Sequence, residues 1–499
     1  MTGPPRSAMR NTDEPRASRR GAAPSGLKSG VCDEGRRCLA APRRGAGNTV
    51  IQYALLAGPL LSMLDSSIVN VAVAPIGRDL HAGLPVVQWA VSGYLLALGT
   101  GLAATAYLSR RFGTLAVYRA SVVAFTLASA ACAAAPDVRV LIAARILQGL
   151  VAAPLVPLAM SMLFGGSDAI RSMPATAGLL LFLGPALGPS VGGALIGAVG
   201  WRSIFLVNVP FGVAAAIAVG RIPADMAAPR AERARLDLPG LLLLASGLAL
   251  LLFGISQAPA AGWGSAGPVL GLTAGAVLLA GYAVRAGRTE QPVLDLALAR
   301  SRTGAVALML CAAASVVTFT AVFLLPVFLQ ETQGHTALAA GLALLPQGLI
   351  TGLSTTLGQR VLRFVTVRTT VLAGFAVLTA ASLGLLAITA RTPLPVTSAL
   401  LAARSAAIGL VITPLLAVIT EPLSQGELGD ASTLFSIWQR IAGSLGIGVL
   451  AAVYAQQSAA HGAVTALHVV GVLIAAIAAV GLLAAPLLPA RRNVAVYGR

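Results

Sequence analysis

Along most of the chain the pattern of apolar and polar positions has no polar face. Fourteen apolar runs follow one another, at about 51–73, 86–107, 115–135, 140–163, 173–199, 203–220, 239–257, 268–285, 304–329, 338–358, 367–389, 396–419, 433–454 and 464–488. A helix crossing a bilayer needs about 20 apolar residues, whereas a surface helix of a soluble protein keeps one polar face. The pattern therefore predicts fourteen membrane helices with mostly short connections.

Charge placement gives these helices a direction. With the N-terminus inside, the inner connections hold Arg110, Arg111, Arg119, Arg171, Arg221, Arg230, Arg233, Arg235, Arg285, Arg288, Arg300, Arg302, Arg360, Arg363 and Arg368. The outer ones hold Arg78, Arg139, Arg202 and Arg391. Basic residues gather on the cytoplasmic side of membrane proteins, so both termini are expected in the cytoplasm. The N-terminal 1–49 is basic and rich in Pro, Gly, Ala and Ser. It reads as a disordered cytoplasmic tail and lacks the short apolar core of a signal peptide.

Composition narrows the function. Charged residues make up 10% of the chain and apolar ones 57%, against about 25% charged in soluble domains, which excludes a soluble enzyme. The net charge of +18 sits in tails and short loops rather than on one soluble face, which speaks against nucleic-acid binding. Cys32, Cys38, Cys132 and Cys311 show no metal-ligand spacing with His, so no metal and no disulfide is expected. No Gly-x-x-x-x-Gly-Lys-Ser/Thr stretch for ATP is present. An enzyme is disfavoured, since no nucleophile–base set occurs.

A weak internal repeat divides the chain. Leu141-Ile142-Ala143-Ala144-Arg145 in the fourth run is echoed by Leu400-Leu401-Ala402-Ala403-Arg404 in the twelfth. Gly184, Gly188 and Gly192 in the fifth run are echoed by Gly443, Ser444, Gly446 and Gly448 in the thirteenth. The expected architecture is an all-α integral membrane protein of two six-helix bundles, 50–221 and 303–490, with an inserted helix pair and its flanking loops at 222–302. Short tails complete it at 1–49 and 491–499. Duplicated halves with a midplane site between them are a hallmark of secondary transporters.

Asp65 is the one acid that must lie deep in an apolar run. Burying it at mid-membrane costs roughly 2.5–3.5 kcal/mol on insertion scales, so it faces a wet cavity or a partner. Proton relay and simple helix packing are both open to it. Asp65 lies about seven residues from the outer end of its run and Arg145 about six from the outer end of its own. At about 1.5 Å per residue the two share a depth near 10 Å, which permits an Asp65–Arg145 pair. A nearby guanidinium favours an ionised carboxylate and desolvation favours the acid; a relay works where that balance changes between inward- and outward-open states. Gln148 shares a helix face with Arg145, and Gly149 permits close approach of a neighbouring helix.

The fifth run reads Gly184-Pro185-Ala186-Leu187-Gly188-Pro189-Ser190-Val191-Gly192-Gly193. Glycines every four residues make a bare stripe on which a second helix can close, and the two prolines bend the helix. The combination suits a gate or seal.

These stretches resemble the fourteen-spanner drug:H⁺ antiporter-2 family of the major facilitator superfamily. Gly184–Gly193 looks like its antiporter motif C. Leu141-x-x-x-Arg145-x-x-Gln148-Gly149 is similar to motif B, and Leu64-Asp65-x-x-Ile68-Val69-Asn70-Val71-Ala72 to the family's first helix. Trp201-Arg202-x-Ile204-Phe205-Leu206-Val207-Asn208-Val209-Pro210, Asp237-Leu238-Pro239-Gly240, Gly262-Trp263-Gly264, Phe328-Leu329-Gln330 and Ala340–Pro346 resemble further family stretches, so that the likeness covers about 50–490. The resemblance implies the major facilitator fold, alternating access, and export of small amphipathic drugs, antibiotics or natural products coupled to proton entry. It implies a bacterial cytoplasmic membrane, no cofactor beyond the proton gradient, and a monomer. Asp65 and Arg145 would take part in proton coupling and motif C would set the direction. An importer or facilitator of the same superfamily, or a non-transporting receptor or scaffold derived from it, is the alternative.

One stretch departs from the family. The loop after the second helix usually reads Gly-x-Leu-x-Asp-Arg-x-Gly-Arg. Here it is Ala106-Tyr107-Leu108-Ser109-Arg110-Arg111-Phe112-Gly113-Thr114, with Arg110 at the acid's place. The counterpart loop has Leu362 at its acid position. A weakened or rewired cytoplasmic latch is expected, unless acids elsewhere compensate. Asn70, Arg404, Trp438, Gln439 and Arg440 are candidate cavity residues; for the two arginines, structural pairing is equally open.

Overall fold

In the computed structural model the described residues are 46–164, 175–222, 236–289, 292–293, 301–362, 364–420 and 428–490. The tails at 1–45 and 491–499 lie outside them, as do Arg171, Arg230, Arg233, Arg235, Arg300 and Arg363 among the inner-loop charges. Every regular element among the described residues is helical.

The helices are α1 Ala46–Asp79, α2 Leu84–Val87, α3 Trp89–Phe112, α4 Thr114–Ala133, α5 Val138–Ala152, α6 Leu155–Phe164, α7 Ala175–Val199, α8 Ser203–Leu206 and α9 Asn208–Gly220. They continue with α10 Leu238–Ala261, α11 Ala266–Ala286, α12 Arg302–Glu331, α13 Ala337–Val361, α14 Val367–Leu383, α15 Leu394–Thr420, α16 Leu428–His461 and α17 Ala463–Ala484. Among the described residues, 13 helical stretches are long and apolar enough to cross a membrane. They account for all of the apolar runs but the fifth, which is α7, with a described apolar part of Gly184–Val199.

Prolines explain where runs are broken or bent. The fourth run is two helices, α5 and α6, parted at Ala153-Pro154, because Pro154 has no N–H to return to Leu150. The sixth divides at Val207, because Pro210 leaves the Leu206 carbonyl without its helical donor. In α1, Pro59 orphans the carbonyl of Leu55 in the same way. Tyr118 of α4 fills the gap: its hydroxyl donates to the Leu55 carbonyl at 2.6 Å and accepts from the Gly58 N–H at 3.2 Å. Buried backbone groups must find partners, so a bend in one helix fixes the rotamer of a tyrosine on the next.

The second proline of α1 acts between distant parts of the chain. Pro75 orphans the Val71 carbonyl, and Gln330 of α12 donates to it at 3.0 Å. Helices before residue 222 meet helices after residue 301 through two more hydrogen bonds among the described residues. Ser190 of α7 donates to the Gly341 carbonyl of α13 at 3.1 Å, and Ser444 of α16 to the Ser92 carbonyl of α3 at 2.8 Å. Val71, Gln330, Ser190, Gly341 and Ser92 all lie in the halves of their helices nearer the Asp79, Glu331, Val199, Ala337 and Trp89 ends. These hydrogen bonds lie toward one end of the bundle, while Gly99 against Ile437 and Ile441 and Gly348 against Ala186 join the two sets nearer the middle.

The pair α10 and α11 closes on itself by glycines. Gly254 lies against Gly271, and Gly247 against Gly275, the close approach that small residues permit in a membrane. Asp237 ties the far end: it accepts from the Gly240 N–H at 3.0 Å and pairs with Arg285 at 2.7 Å. α10 also packs on α3 and α16.

Candidate functional site

The most densely bonded polar cluster is built around Asp65. Intrahelical bonds saturate the α1 backbone here, so the carboxylate needs side-chain donors from other helices. Arg145 of α5 pairs with Oδ2 at 2.6 Å, and both residues are 1% exposed. Oδ1 accepts from Gln148 Nε2 at 3.1 Å and from Asn208 Nδ2 of α9 at 2.8 Å. Three helices therefore meet on one side chain.

Every partner is itself held. Arg145 Nε donates to the Ala90 carbonyl of α3 at 2.9 Å, and Nη1 also reaches Gln148 Oε1 at 2.7 Å. Its guanidinium carbon lies 4.0 Å from the Tyr94 ring centroid and 5.6 Å from that of Phe205. Tyr94 Oη is 3.3 Å from Ser62 Oγ. Gln148 Nε2 also donates to Ser129 Oγ at 2.8 Å, and the Cys132 thiol lies 3.4 Å from its Oε1. A buried ion pair needs this kind of support, because the attraction alone does not offset the loss of water. Chemically the cluster is a shielded carboxylate with a built-in countercharge, and any change in its protonation must be answered by Arg145, Gln148 and Asn208.

Gly149, the neighbour of Gln148, makes the geometry possible. A Cβ there would run into the Tyr94 carbonyl on α3. The glycine brings α5 close enough for Arg145 to reach Ala90 and to stack on Tyr94.

The glycine stripe of α7 lies between α1 and α13. Gly184, Gly188 and Gly192 face α1, where Leu60, Ser67 and Ile68 occupy the space a Cβ would need. The other side of α7 meets α13: Gly193 abuts the Ala337 carbonyl, Gly341 the Pro189 carbonyl, and Gly348 the backbone of Ala186. Pro185 and Pro189 both lie within the helix. Gly188 comes within van der Waals range of Ser67, two residues along α1 from Asp65.

The remaining candidates are placed elsewhere. Arg110 and Arg111 are exposed at the end of α3 and form no ion pair among the described residues. Gly113 joins α3 directly to α4 at φ 93°, a conformation that disfavours any residue with a Cβ. Asn70 is buried and donates back to its own helix, to the carbonyls of Ser66 and Ser67. Trp438 donates to the Leu308 carbonyl of α12 at 2.8 Å. Gln439 and Arg440 are half-buried. Arg404 is 3% exposed, donates through Nη2 to the Val317 carbonyl at 2.6 Å, and has no partner at Nη1 among the described residues.

Arg404 repeats Arg145 with its acid removed. Asp65 stands fourteen residues before Asp79, the end of α1, and Val317 fourteen before Glu331, the end of α12. The second arginine of the repeat thus meets a valine at the place where the first meets a carboxylate.

Asn208, Tyr94, Ser129, Cys132 and Phe205 are cluster members that inspection of spans and charges does not select. Asn208 and Phe205 lie in the stretch around Trp201 that carries part of the family likeness, and Pro210 just beyond them marks the bend.

Comparison with known proteins agrees with this architecture. The sequence profile of the Major Facilitator Superfamily matches residues 55–447. The chain is 34% identical to the multidrug resistance protein B homolog of Mycobacterium tuberculosis, over 80% of this chain and 74% of that protein. It is 32% identical to the methylenomycin A resistance protein of Streptomyces coelicolor, over 89% of this chain and 94% of that one. In backbone it superposes on the crystal structure of a D-xylose-proton symporter with a TM-score of 0.63 at 15% identity, over 89% of this chain and 98% of that one; this shows the fold. The protein is a multi-pass membrane protein, and its chain belongs to the Major Facilitator Superfamily.

Proposed function

We propose that the protein is a proton-coupled secondary transporter that exports small amphipathic molecules, such as drugs, antibiotics or natural products, across the bacterial cytoplasmic membrane. The observation that carries this reading is the Asp65 carboxylate, 1% exposed and held by Arg145, Gln148 and Asn208. Intramembrane acids with a named partner are default candidates for proton relays. The resistance proteins to which the chain is similar support export.

In this reading the bundles 50–221 and 303–490 rock against each other about a midplane site, and the pair within 222–302 is an insert. The termini lie in the cytoplasm, as the arginine distribution favours. The end bearing Asp79 and Glu331 then faces outward. The bonds from Gln330 to Val71, Ser190 to Gly341 and Ser444 to Ser92 then tie the outer side together, which supports reading this as the inward-facing stage of alternating access. α7 and its glycines serve as the outer seal. Protonation of Asp65 would release Arg145 and Gln148, and the loss of their shared anchor would change how α1, α5 and α9 pack. The protein acts as a monomer and uses no cofactor beyond the proton gradient.

The test uses inverted membrane vesicles carrying wild type or Asp65→Asn. A proton gradient is imposed and uptake of a panel of fluorescent dyes and antibiotics is followed. The expected result is gradient-driven uptake by wild type that is lost in the variant. Uptake that survives the substitution would remove Asp65 from the coupling step.

A further inference from the structure

The interior carries positive charge that the fold does not neutralise. Among the acids whose side chains are described, Asp65 is saturated by three side chains, Asp79 pairs with Arg202, Asp137 caps α5, Asp237 pairs with Arg285, and Glu331 is exposed at the end of α12. Arg404 and Arg440 have no acid partner among the described residues. Arg404 has a single carbonyl and a bare Nη1. Arg440 is half-buried and makes no hydrogen bond among the described residues.

Arg404 lies against α12, and the helix that carries Arg440 packs on the same helix close by. Arg404 of α15 binds the Val317 carbonyl, and Gly443 of α16, one turn beyond Arg440, packs on the Phe319 ring. On its other side Arg440 faces α3, where its Cβ would lie 3.5 Å from a Cβ at Gly99. Arg440 therefore stands in the seam between α3 and α16. A guanidinium left without a countercharge in low dielectric is costly, and two of the same sign set a field that attracts anions and repels cations.

We propose that the exported molecule carries an acidic group, a carboxylate or a comparable oxyanion, and that Arg440 binds it directly while Arg404 adds positive field from deeper in the bundle. The inference rests on the exporter reading above and names the substrate class for it. Asp65 cannot serve as the counter-ion for a cationic drug while Arg145, Gln148 and Asn208 occupy its oxygens. The arginine fork suits a carboxylate.

The test uses three probes with one aromatic body: 1-pyrenebutyrate, its methyl ester, and a pyrenebutyl-trimethylammonium ion. Equilibrium binding to the purified full-length protein is measured beside gradient-driven uptake in inverted vesicles, for wild type, Arg440→Gln, Arg440→Lys and Arg404→Gln. The expected result is preferential binding and uptake of the acid, weakened by about tenfold or more in Arg440→Gln, partly restored in Arg440→Lys, and reduced less in Arg404→Gln. Detergent melting temperatures near wild type separate loss of the site from loss of the fold. Equal or better binding of the trimethylammonium ion by wild type overturns the proposal, as does an Arg440→Gln variant that binds the acid unchanged. Selective acid binding through Arg440 without gradient-driven uptake upholds the anion site while overturning the exporter reading. Uptake of the cation in preference to the acid does the reverse.

Discussion

Asn208 donates from Nδ2 to Oδ1 of Asp65 at 2.8 Å, across 143 positions of sequence. It brings α9 onto the same carboxylate that α5 reaches through Arg145 and Gln148, and it sits just after the break in the sixth run that Pro210 imposes. A hydrogen bond to a charged group contributes about 1.5–3 kcal/mol. Asn208→Ala is expected to lower proton-driven uptake by about tenfold or more, with Asn208→Gln no better, since the longer arm misplaces the donor. Initial uptake rates in inverted vesicles, beside melting of the purified protein, check this. An Asn208→Ala variant with wild-type uptake would make the bond dispensable.

How far the cluster is legible in sequence follows from the residue types. Asp65 stands out because an acid in an apolar run is expensive, and Arg145 and Gln148 follow because their depth and helix face match it. Asn208 does not stand out: a single amide at the start of an apolar run has many possible roles, and its direction depends on the break at Val207. Arg404 is visible as the echo of Arg145, but only the structure puts Val317 opposite it. Gln330 looks like one more polar residue at a helix end until Pro75 is seen to have left the Val71 carbonyl open. The pattern of apolar runs yields the spans; bends and registers decide which polar groups meet.

The Asp65–Arg145 pair is expected to behave differently under single and double substitution. Removing one partner of a buried pair leaves an uncompensated charge and costs about 3–5 kcal/mol. Arg145→Leu alone should therefore express poorly and melt low. Adding Asp65→Asn to Arg145→Leu removes the stranded charge and should recover much of the stability. Proton-driven uptake should stay absent in the double variant. Melting temperature and vesicle uptake on the same preparations check both halves. Recovery of transport together with stability would reduce the pair to a packing element.

Two glycines of α7 are expected to differ sharply. A Cβ at Gly188 meets the Ser67 hydroxyl, which can rotate away, whereas a Cβ at Gly193 meets the backbone of Ala337 and Leu338, which cannot. Gly188→Ala should retain most uptake. Gly193→Ala and Gly341→Ala, whose Cβ meets the Pro189 carbonyl, should both force α7 and α13 apart. Overpacking of this kind typically costs about 1–3 kcal/mol. Cysteine pairs placed across α7 and α13 in cysteine-free backgrounds should crosslink readily in Gly188→Ala and poorly in Gly193→Ala. Equal crosslinking in both would show that the interface yields without loss.

The bond from Gln330 to the Val71 carbonyl makes a prediction that couples a side chain to a proline. Val71 lacks its helical donor because residue 75 is proline, and Gln330 supplies the missing N–H from another helix. Gln330→Ala strands a buried carbonyl, which costs about 1–3 kcal/mol, and loosens the junction of α1 with α12. Pro75→Ala returns an N–H to Val71 within its own helix. The carbonyl is then satisfied without help, so Gln330→Ala should do little harm in the Pro75→Ala background. A double-mutant cycle on melting temperature measures this, and the expected result is a double variant less destabilised than the sum of the two single ones. Labelling of a single cysteine placed beside Gln330 follows the same cycle at the level of opening: more labelling in Gln330→Ala, less once Pro75→Ala is added. If the two substitutions simply add, the proline and the glutamine act independently, and the closure of this end rests on the contacts of α7 with α13 and of α3 with α16.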